Sequence, residues 1–197
     1  MNFEFPLVAG VDEAGRGCLA GPVIASAVIW PKGLKLKGLT DSKKLDFNKR
    51  ASLRKRLETV LPQGSWAVGI SNSEEIDRVN ILQATFLAMH RAIDQLNTDP
   101  DLLLIDGNQF KPYRNIPHRC EIKGDIRFQA ISAASIFAKT SRDEFMINAH
   151  EKLPQYGWDK NKGYPTLSHK LALMKFGTSE LHRKSFKWKN PQKKIDF

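Results

Sequence analysis

The chain alternates short apolar runs with longer segments in which apolar residues recur at helical spacing. The short runs are rich in β-branched or small residues and are bounded by glycine, proline or acidic residues, a pattern typical of β-strands. They predict strands over residues 7–11, 22–30, 65–70, 102–105 and 118–122.

The most regular helical pattern covers residues 74–96. Asn72 and Glu75 match a capping box at its start. Further helices are predicted over 46–60, 131–150 and 168–175. Strands come first and then alternate with helices, which predicts a mixed α/β sheet with helices packed on it. The apolar residues at helical spacing in the first segment are Ile76, Val79, Leu82, Phe86, Met89, Ile93 and Leu96.

Two of the predicted strands end in acidic residues that are followed by glycine or by alanine and glycine. In LVAGVDEAG the acids are Asp12 and Glu13, and in LLLIDGN the acid is Asp106. Ligands of open α/β sheets bind beyond the carboxyl ends of the strands, so Asp12 and Asp106 meet there if their strands are neighbours. A further acid, Asp125 of KGD, precedes the helix predicted at 131–150.

Each of these aspartates could instead be a helix cap or a turn former. A turn needs only one acid, however, so the adjacent pair Asp12 and Glu13 favours a cation-binding cluster. Neighbouring strand residues point to opposite faces. Both acids can therefore serve one centre only if the chain bends at Glu13 or if Glu13 contributes its backbone carbonyl.

The ligand types indicate which cation would bind. The five histidines are scattered without metal-ligand spacing, and the sequence has no HExxH motif. Carboxylates alone favour the hard ions Mg²⁺ or Mn²⁺ over Zn²⁺. Carboxylate-bound Mg²⁺ completes its shell with water and substrate phosphate, so a phosphate-containing substrate is expected.

Residues 15–20, GRGCLA, fit the GxGxxA fingerprint of dinucleotide-binding proteins. That fingerprint must open a helix, whereas here Gly21 and Pro22 lead into a predicted strand, so a nicotinamide enzyme is disfavoured. Such a loop can instead place backbone amides and a cation next to a sugar-phosphate chain, because glycine lets the main chain approach that ligand closely.

The formal net charge of +10 indicates a polyanionic partner or an acidic membrane surface. Residues 151–197 hold eleven Lys or Arg against four acids, a net +7. No run approaches the ~20 apolar residues of a membrane span. The start has no basic leader, and two cysteines without a CxxC predict free thiols. A cytoplasmic protein that does not bind membranes is therefore expected.

Five motifs in this order resemble bacterial ribonuclease HII, the type 2 ribonuclease H: VDEAGRGCLAGPV, LTDSKKL, IDGN, KGD followed by SAASIFAKTSRD, and NKGYPT. The resemblance runs from Val8 to about Ser185. It implies a ribonuclease H-like fold, a central mixed β-sheet flanked by helices with a small helical C-terminal region. Residues 1–150 would form the catalytic domain, and 151–197 would form a basic helical and loop region packed on it as one structural unit.

The resemblance also implies an activity. The expected enzyme hydrolyses RNA in RNA/DNA hybrids and incises on the 5′ side of single ribonucleotides in duplex DNA, leaving 3′-hydroxyl and 5′-phosphate ends. It would act in ribonucleotide excision repair and DNA replication. A monomer is expected, because nothing in the sequence suggests a repeated or coiled interface. The implied mechanism uses two divalent ions, Mn²⁺ or Mg²⁺. The residues that would hold these ions are Asp12, Glu13, Asp106 and Asp125.

Six further residues are implied to bind substrate. Gly15, Arg16 and Gly17, here named the glycine loop, would read the ribose 2′-hydroxyl with backbone groups. Tyr164 of NKGYPT would touch that hydroxyl and stack on the neighbouring deoxyribose. Lys43 and Lys44 would hold phosphates, since backbone contacts dominate nucleic-acid affinity.

The residues alone leave other interpretations open. A non-catalytic nucleic-acid-binding domain would have the same basic surface but would need no carboxylate cluster. A hydrolase of small phosphorylated metabolites would need neither a net charge of +10 nor an exposed Tyr164. Asp143 is interpreted as a helix-surface acid paired with Arg142 or Lys139, outside the metal set. The basic segment 183–194 is either a solvated end or a grip on duplex.

Overall fold

The computed structural model describes residues 7–39, 42 and 45–188. Five strands form one mixed sheet in the order β3-β2-β1-β4-β5. Strands β1, β2 and β3 pair antiparallel, whereas β1 with β4 and β4 with β5 pair parallel. The predicted mixed sheet is therefore confirmed. The strands are β1 (Val8–Ala14), β2 (Val23–Ile29), β3 (Trp66–Ser71), β4 (Leu102–Asp106) and β5 (His118–Glu121).

Six α-helices accompany the sheet in the described part of the chain. The predicted capping box of α2 is present, with Asn72 accepting from the amide of Glu75 and Glu75 accepting from the amide of Asn72. A kink at Asn80 interrupts α2, at a positive φ of 67°. The helices are α1 (Phe47–Val60), α2 (Ser73–Asp94), α3 (Gly124–Arg127), α4 (Gln129–Lys152), α5 (Trp158–Asn161) and α6 (Leu167–Phe176).

The alternation of side chains along β1 divides the core between two helices. Ala9 and Val11 belong to the apolar cluster that includes the buried side chains of α2. Gly10 faces α4, where an added Cβ would lie 2.2 Å from the carbonyl carbon of Ala130. Helix α4 therefore packs directly on the backbone of β1, which fixes the helix beside the acidic end of that strand.

The C-terminal region packs on this core. Leu19 and Ala20 share a buried cluster with Met146 of α4 and with Trp158 of α5. Phe186 and Trp188 pack against the same cluster, and Arg183 is buried. The described part of segment 183–194 is thus attached to the fold rather than a solvated end.

Two local predictions need correction. The chain does not bend at Glu13: β1 stays paired with β2 through Glu13 and Ala14, and the chain turns only at Gly15, where φ is +99°. The third acidic motif does not simply precede one long helix, because Asp125 lies in the separate short helix α3.

Candidate active site

Asp12 and Asp106 lie next to each other at the carboxyl ends of β1 and β4. Val11 of β1 pairs with Ile105 of β4, so the next residue of each parallel strand is an aspartate on the same face. Asp12 is only 2% exposed. Burial, followed by the negative charges of Glu13 and Asp106, raises its pKa well above the ordinary value.

Glu13 reaches the same edge from the opposite face of β1. It lines a small pocket with Asp106 and with residues of α2, including Thr85 and Phe86. Its carboxylate lies 3.3 Å from the guanidinium of Arg16. Both acids of the pair therefore lie near Asp106: Asp12 shares its face at the strand end, and Glu13 lines a common pocket with it.

Asp125 is tied to the same edge through its neighbour. The amide of Gly124 donates to Oδ1 of Asp106 at 2.8 Å, which attaches the start of α3 to the end of β4. Asp125 is buried, and its carbonyl accepts a hydrogen bond from the hydroxyl of Ser132. The main chain at Asp125 is therefore fixed between β4 and α4.

The donor set fits a hard divalent cation in charge and chemistry. The crowding of negative charge around buried Asp12 is what a bound cation would relieve. Across residues 7–39, 42 and 45–188, however, no three His, Cys, Asp or Glu side chains are arranged to hold an ion as they stand. The oxygens are instead held by amides, those of Glu13 at 2.7 Å for Asp12 and of Gly124 for Asp106. An ion bound here would compete with these amides for the carboxylate oxygens.

A second pocket, of about 170 Å³, adjoins the acids. Glu13 and Arg16 line both pockets, so the two pockets adjoin each other. We name this second pocket the loop pocket. Its lining consists of Glu13, Ala14, Gly15, Arg16, Gly17, Ser42, Lys139 and Tyr164.

The two glycines of the glycine loop have different physical roles. Gly15 has φ +99°, and an added Cβ would lie 2.0 Å from Nε of Arg142, so the fold itself requires glycine there. At Gly17 an added Cβ would meet nothing within 4 Å. The glycine at position 17 therefore leaves open space at the loop pocket rather than serving the packing.

Tyr164 is presented rigidly beside this loop. Gly163 has φ +80°, and an added Cβ there would lie 2.5 Å from the carbonyl oxygen of Ala20. Tyr164 is 39% exposed, and Nζ of Lys139 lies 5.8 Å from the centroid of its ring. Burial, followed by the neighbouring thiol of Cys18, raises the pKa of the Tyr164 hydroxyl. The sequence-based expectation of an exposed, fixed ring agrees with this geometry.

Sequence reasoning missed a serine pair behind Asp12. Ser135 of α4 hydrogen-bonds to the Asp12 carboxylate, and its Oγ lies 2.7 Å from Oγ of Ser42. Ser135 and Lys139 are four residues apart and thus share a helix face. Lys43 and Lys44 lie outside the described residues.

Two further acids near the site are already neutralised. Asp143 is buried rather than on the surface, and Nζ of Lys139 lies 2.6 Å from its Oδ1. Its predicted pairing with Lys139 is present, but Arg142 hydrogen-bonds to backbone carbonyls instead. Glu121, which pairs in register with Asp106, forms ion pairs with Arg119 and Arg127.

Comparison with known proteins identifies the family to which this chain belongs. A family model described as Ribonuclease HII matches residues 9–189. The chain belongs to the ribonuclease HII family. It is accordingly a metal-dependent endoribonuclease, a hydrolase of the ribonuclease H class that acts on RNA/DNA hybrids.

Relatives in this family match along almost their whole length. The Ribonuclease HII of Christiangramia forsetii is 54% identical over 190 residues, which cover 96% of this chain and 95% of that protein. The Ribonuclease HII of Chlorobaculum tepidum is 46% identical, with 94% and 95% covered. The family assignment thus applies to the whole chain.

Solved structures confirm the predicted ribonuclease H-like fold. The ribonuclease H2 of Pyrococcus horikoshii OT3 superposes with a TM-score of 0.74 at 25% identity, covering 94% of this chain and 95% of that one. Ribonuclease HII from Archaeoglobus fulgidus, solved in complex with PCNA, gives 0.76 at 24% identity, with 93% and 96% covered. Bst-RNase HIII, solved in complex with Mn²⁺, gives 0.74 at 17% identity, with 94% and 68% covered.

No helix within the described residues is both long and apolar enough to cross a membrane. Cys18 and Cys120 are free thiols, as the sequence predicted.

Proposed function

We propose that this enzyme incises duplex DNA on the 5′ side of a single embedded ribonucleotide, in addition to hydrolysing RNA in RNA/DNA hybrids. The products would carry 3′-hydroxyl and 5′-phosphate ends. The observation that carries this proposal is the shared lining of the two pockets: Glu13 and Arg16 border both the acidic edge and the loop pocket. A ribose read in the loop pocket would have its phosphate at the acids.

We assign the four acids as ligands of two divalent ions, Mn²⁺ or Mg²⁺. The convergence of Asp12, Glu13 and Asp106, and the attachment of α3 to Asp106, support this assignment. Binding of Mn²⁺ by the fold neighbour Bst-RNase HIII is consistent with it. When bound, such ions supply Lewis-acid activation of water and of the scissile phosphate. The proposed ligands are Asp12, Glu13, Asp106 and Asp125.

The remaining groups would position the substrate. The amides of the glycine loop are the proposed readers of the ribose 2′-hydroxyl, the group that distinguishes RNA from DNA. The exposed face of Tyr164 is the proposed stacking platform for the adjoining sugar. Lys43 and Lys44 remain proposed phosphate contacts, with the net charge of +10 as support.

We also propose that the enzyme works as a monomer in the cytoplasm, in ribonucleotide excision repair and DNA replication, and that residues 151–197 form an accessory region of one structural unit. The packing of Trp158 and Trp188 against Leu19 and Ala20 supports the last point. Because ribonuclease HII from Archaeoglobus fulgidus was solved in complex with PCNA, PCNA is the first partner to test.

The test uses an end-labelled DNA duplex with one ribonucleotide and a matched all-DNA duplex, each incubated with Mg²⁺ or Mn²⁺. We expect a single nick on the 5′ side of the ribonucleotide and no nick in the all-DNA duplex. Equal cleavage of both duplexes would contradict ribonucleotide recognition. Asp12→Asn distinguishes an enzyme from a mere binding domain, since it should stop incision and leave duplex binding in place.

A further inference from the structure

Arg183 connects the C-terminal region to the glycine loop. Its guanidinium is buried and donates to the carbonyl oxygens of Gly15 at 2.7 Å and Arg16 at 2.9 Å. It also donates twice to the carbonyl of Gly21, at 3.0 and 2.9 Å. One side chain thus holds both ends of the segment 15–21.

The surrounding main chain fixes Arg183 in this position. Its amide donates to the carbonyl of Leu19 at 2.9 Å, and the preceding residue, His182, forms a bridge with Ala20. Its guanidinium carbon lies 5.0 Å from the ring centroid of Phe186. The side chain therefore has little freedom to leave the loop.

The direction of these hydrogen bonds determines which groups the loop shows to solvent. In a planar trans peptide the carbonyl and the following N–H point in opposite directions. Because the carbonyls of Gly15 and Arg16 point inward to Arg183, the N–H groups of Arg16 and Gly17 point outward. Arg16 and Gly17 are exposed and line the loop pocket.

The buried positive charge of Arg183 adds to the effect of the outward-pointing N–H groups. Across the described part of the chain, no carboxylate lies within ion-pair distance of its guanidinium. Burial lowers its pKa to about 10, so the group remains charged at neutral pH. Arg142 is also buried, and it donates to the carbonyls of Ala20, Pro22 and Lys162. A positive charge behind outward-pointing amides favours an anionic or hydroxyl ligand.

We propose that Arg183 is a positioning residue for ribonucleotide recognition: it orients the amides of Arg16 and Gly17 toward the sugar-phosphate backbone. This proposal rests on the role proposed above for the glycine loop. It makes the C-terminal region part of substrate selection, although that region supplies none of the proposed metal ligands.

The main test is Arg183→Lys, which keeps the charge but replaces a planar fork that spans several carbonyls by a single ammonium. We expect KM for the single-ribonucleotide duplex to rise about tenfold, as for the loss of one or two hydrogen bonds, with kcat nearly unchanged. The preference for the ribonucleotide duplex over all-DNA in binding should fall by a similar factor. The matched control is Arg91→Lys, whose hydrogen bonds go to Ile70 and Glu75.

A merely structural role predicts a different result. Both variants would then lower the melting temperature and the active fraction, and KM and the ribonucleotide preference would stay at the wild-type values. That outcome for Arg183→Lys would overturn the proposal. If the wild-type enzyme itself failed to incise the ribonucleotide duplex, the proposed function would have failed, independently of Arg183.

A measurement on the unmodified protein covers the case in which Arg183→Lys does not fold. Residue-resolved amide exchange should show that Arg16 and Gly17 exchange rapidly in the free protein and become protected when the ribonucleotide duplex binds. Protection of both amides in the free protein would mean that they point inward, which would refute the proposed orientation.

Discussion

Asp12 and Asp106 end two hydrogen-bonded parallel strands at the same level, because Val11 pairs with Ile105. Burial raises the cost of charging Asp12, and the negative charges of Glu13 and Asp106 add to this cost. The fold therefore keeps a repulsive arrangement at its sheet edge. Such an arrangement is expected where a bound cation, rather than a protein side chain, supplies the compensating charge.

Asp12→Asn should stabilise the protein while abolishing its activity. The substitution removes a buried charge held beside two like charges, and the amide can still accept from the backbone of Glu13. We expect the melting temperature at pH 7 without divalent ions to rise by roughly 2–4 °C, as for about 1 kcal/mol in a chain of this size. Incision should fall at least about 100-fold.

Divalent ions provide the control for this prediction. Mg²⁺ should raise the melting temperature of the wild-type protein by ligand binding to the folded state and should have a much smaller effect on Asp12→Asn. A lower melting temperature for Asp12→Asn without ions would show that the carboxylate stabilises the fold, against this interpretation.

Gly17→Ala and Gly15→Ala should separate binding from folding. An alanine at position 17 meets no atom of the protein within 4 Å, so the melting temperature should stay close to wild type. KM for the ribonucleotide duplex should rise, because the added methyl group occupies the open space at the loop pocket. An alanine at position 15 collides with Arg142 at a positive φ, so it should destabilise the protein by about 1–3 kcal/mol. Thermal melts and steady-state kinetics measure the two effects. Unchanged kinetics in Gly17→Ala would remove position 17 from the substrate site.

A buried histidine pair should make stability depend on pH. Trp158 donates to Nε2 of His169, and the amide of Ser179 donates to Nδ1 of His182. Both acceptor nitrogens, Nε2 of His169 and Nδ1 of His182, must therefore be unprotonated. The ring proton of His182 is then on Nε2, which donates to Nε2 of His169, 3.1 Å away. The pair is therefore neutral in the folded protein.

Burial, followed by the neighbouring His169, lowers the pKa of His182 to about 4. An unfolded histidine titrates near 6.5, so between about pH 6.5 and 4 the unfolded chain binds a proton that the folded chain does not. The free energy of unfolding should fall as pH decreases through this window, by at most about 1.4 kcal/mol per pH unit for His182. Urea unfolding at several pH values measures the slope. His182→Asn should reduce this slope. An equal slope in the wild-type protein and in His182→Asn would refute the assignment of the pH dependence to His182.

The sequence was sufficient for the strands and for the acids at their ends, because both depend on local patterns. The course of β1 beyond Asp12 was predicted wrongly, since the extension to Ala14 depends on pairing with residues of β2. The burial of Arg183 was equally inaccessible: a basic residue in a basic segment looks solvated until the carbonyls of a distant loop are placed around it. Ser135 was overlooked because a serine among small helical residues carries no distinctive local signal.

The most direct test of the central claim is Mn²⁺ binding measured by electron paramagnetic resonance on the wild-type protein and on Asp106→Asn. Asparagine can still accept from the amide of Gly124, so the variant should fold normally. We expect the wild-type protein to bind Mn²⁺ and Asp106→Asn to bind it at least about tenfold more weakly, together with loss of incision. Equal Mn²⁺ affinity in the two proteins would contradict the proposal that the acids at the ends of β1 and β4 form one metal site.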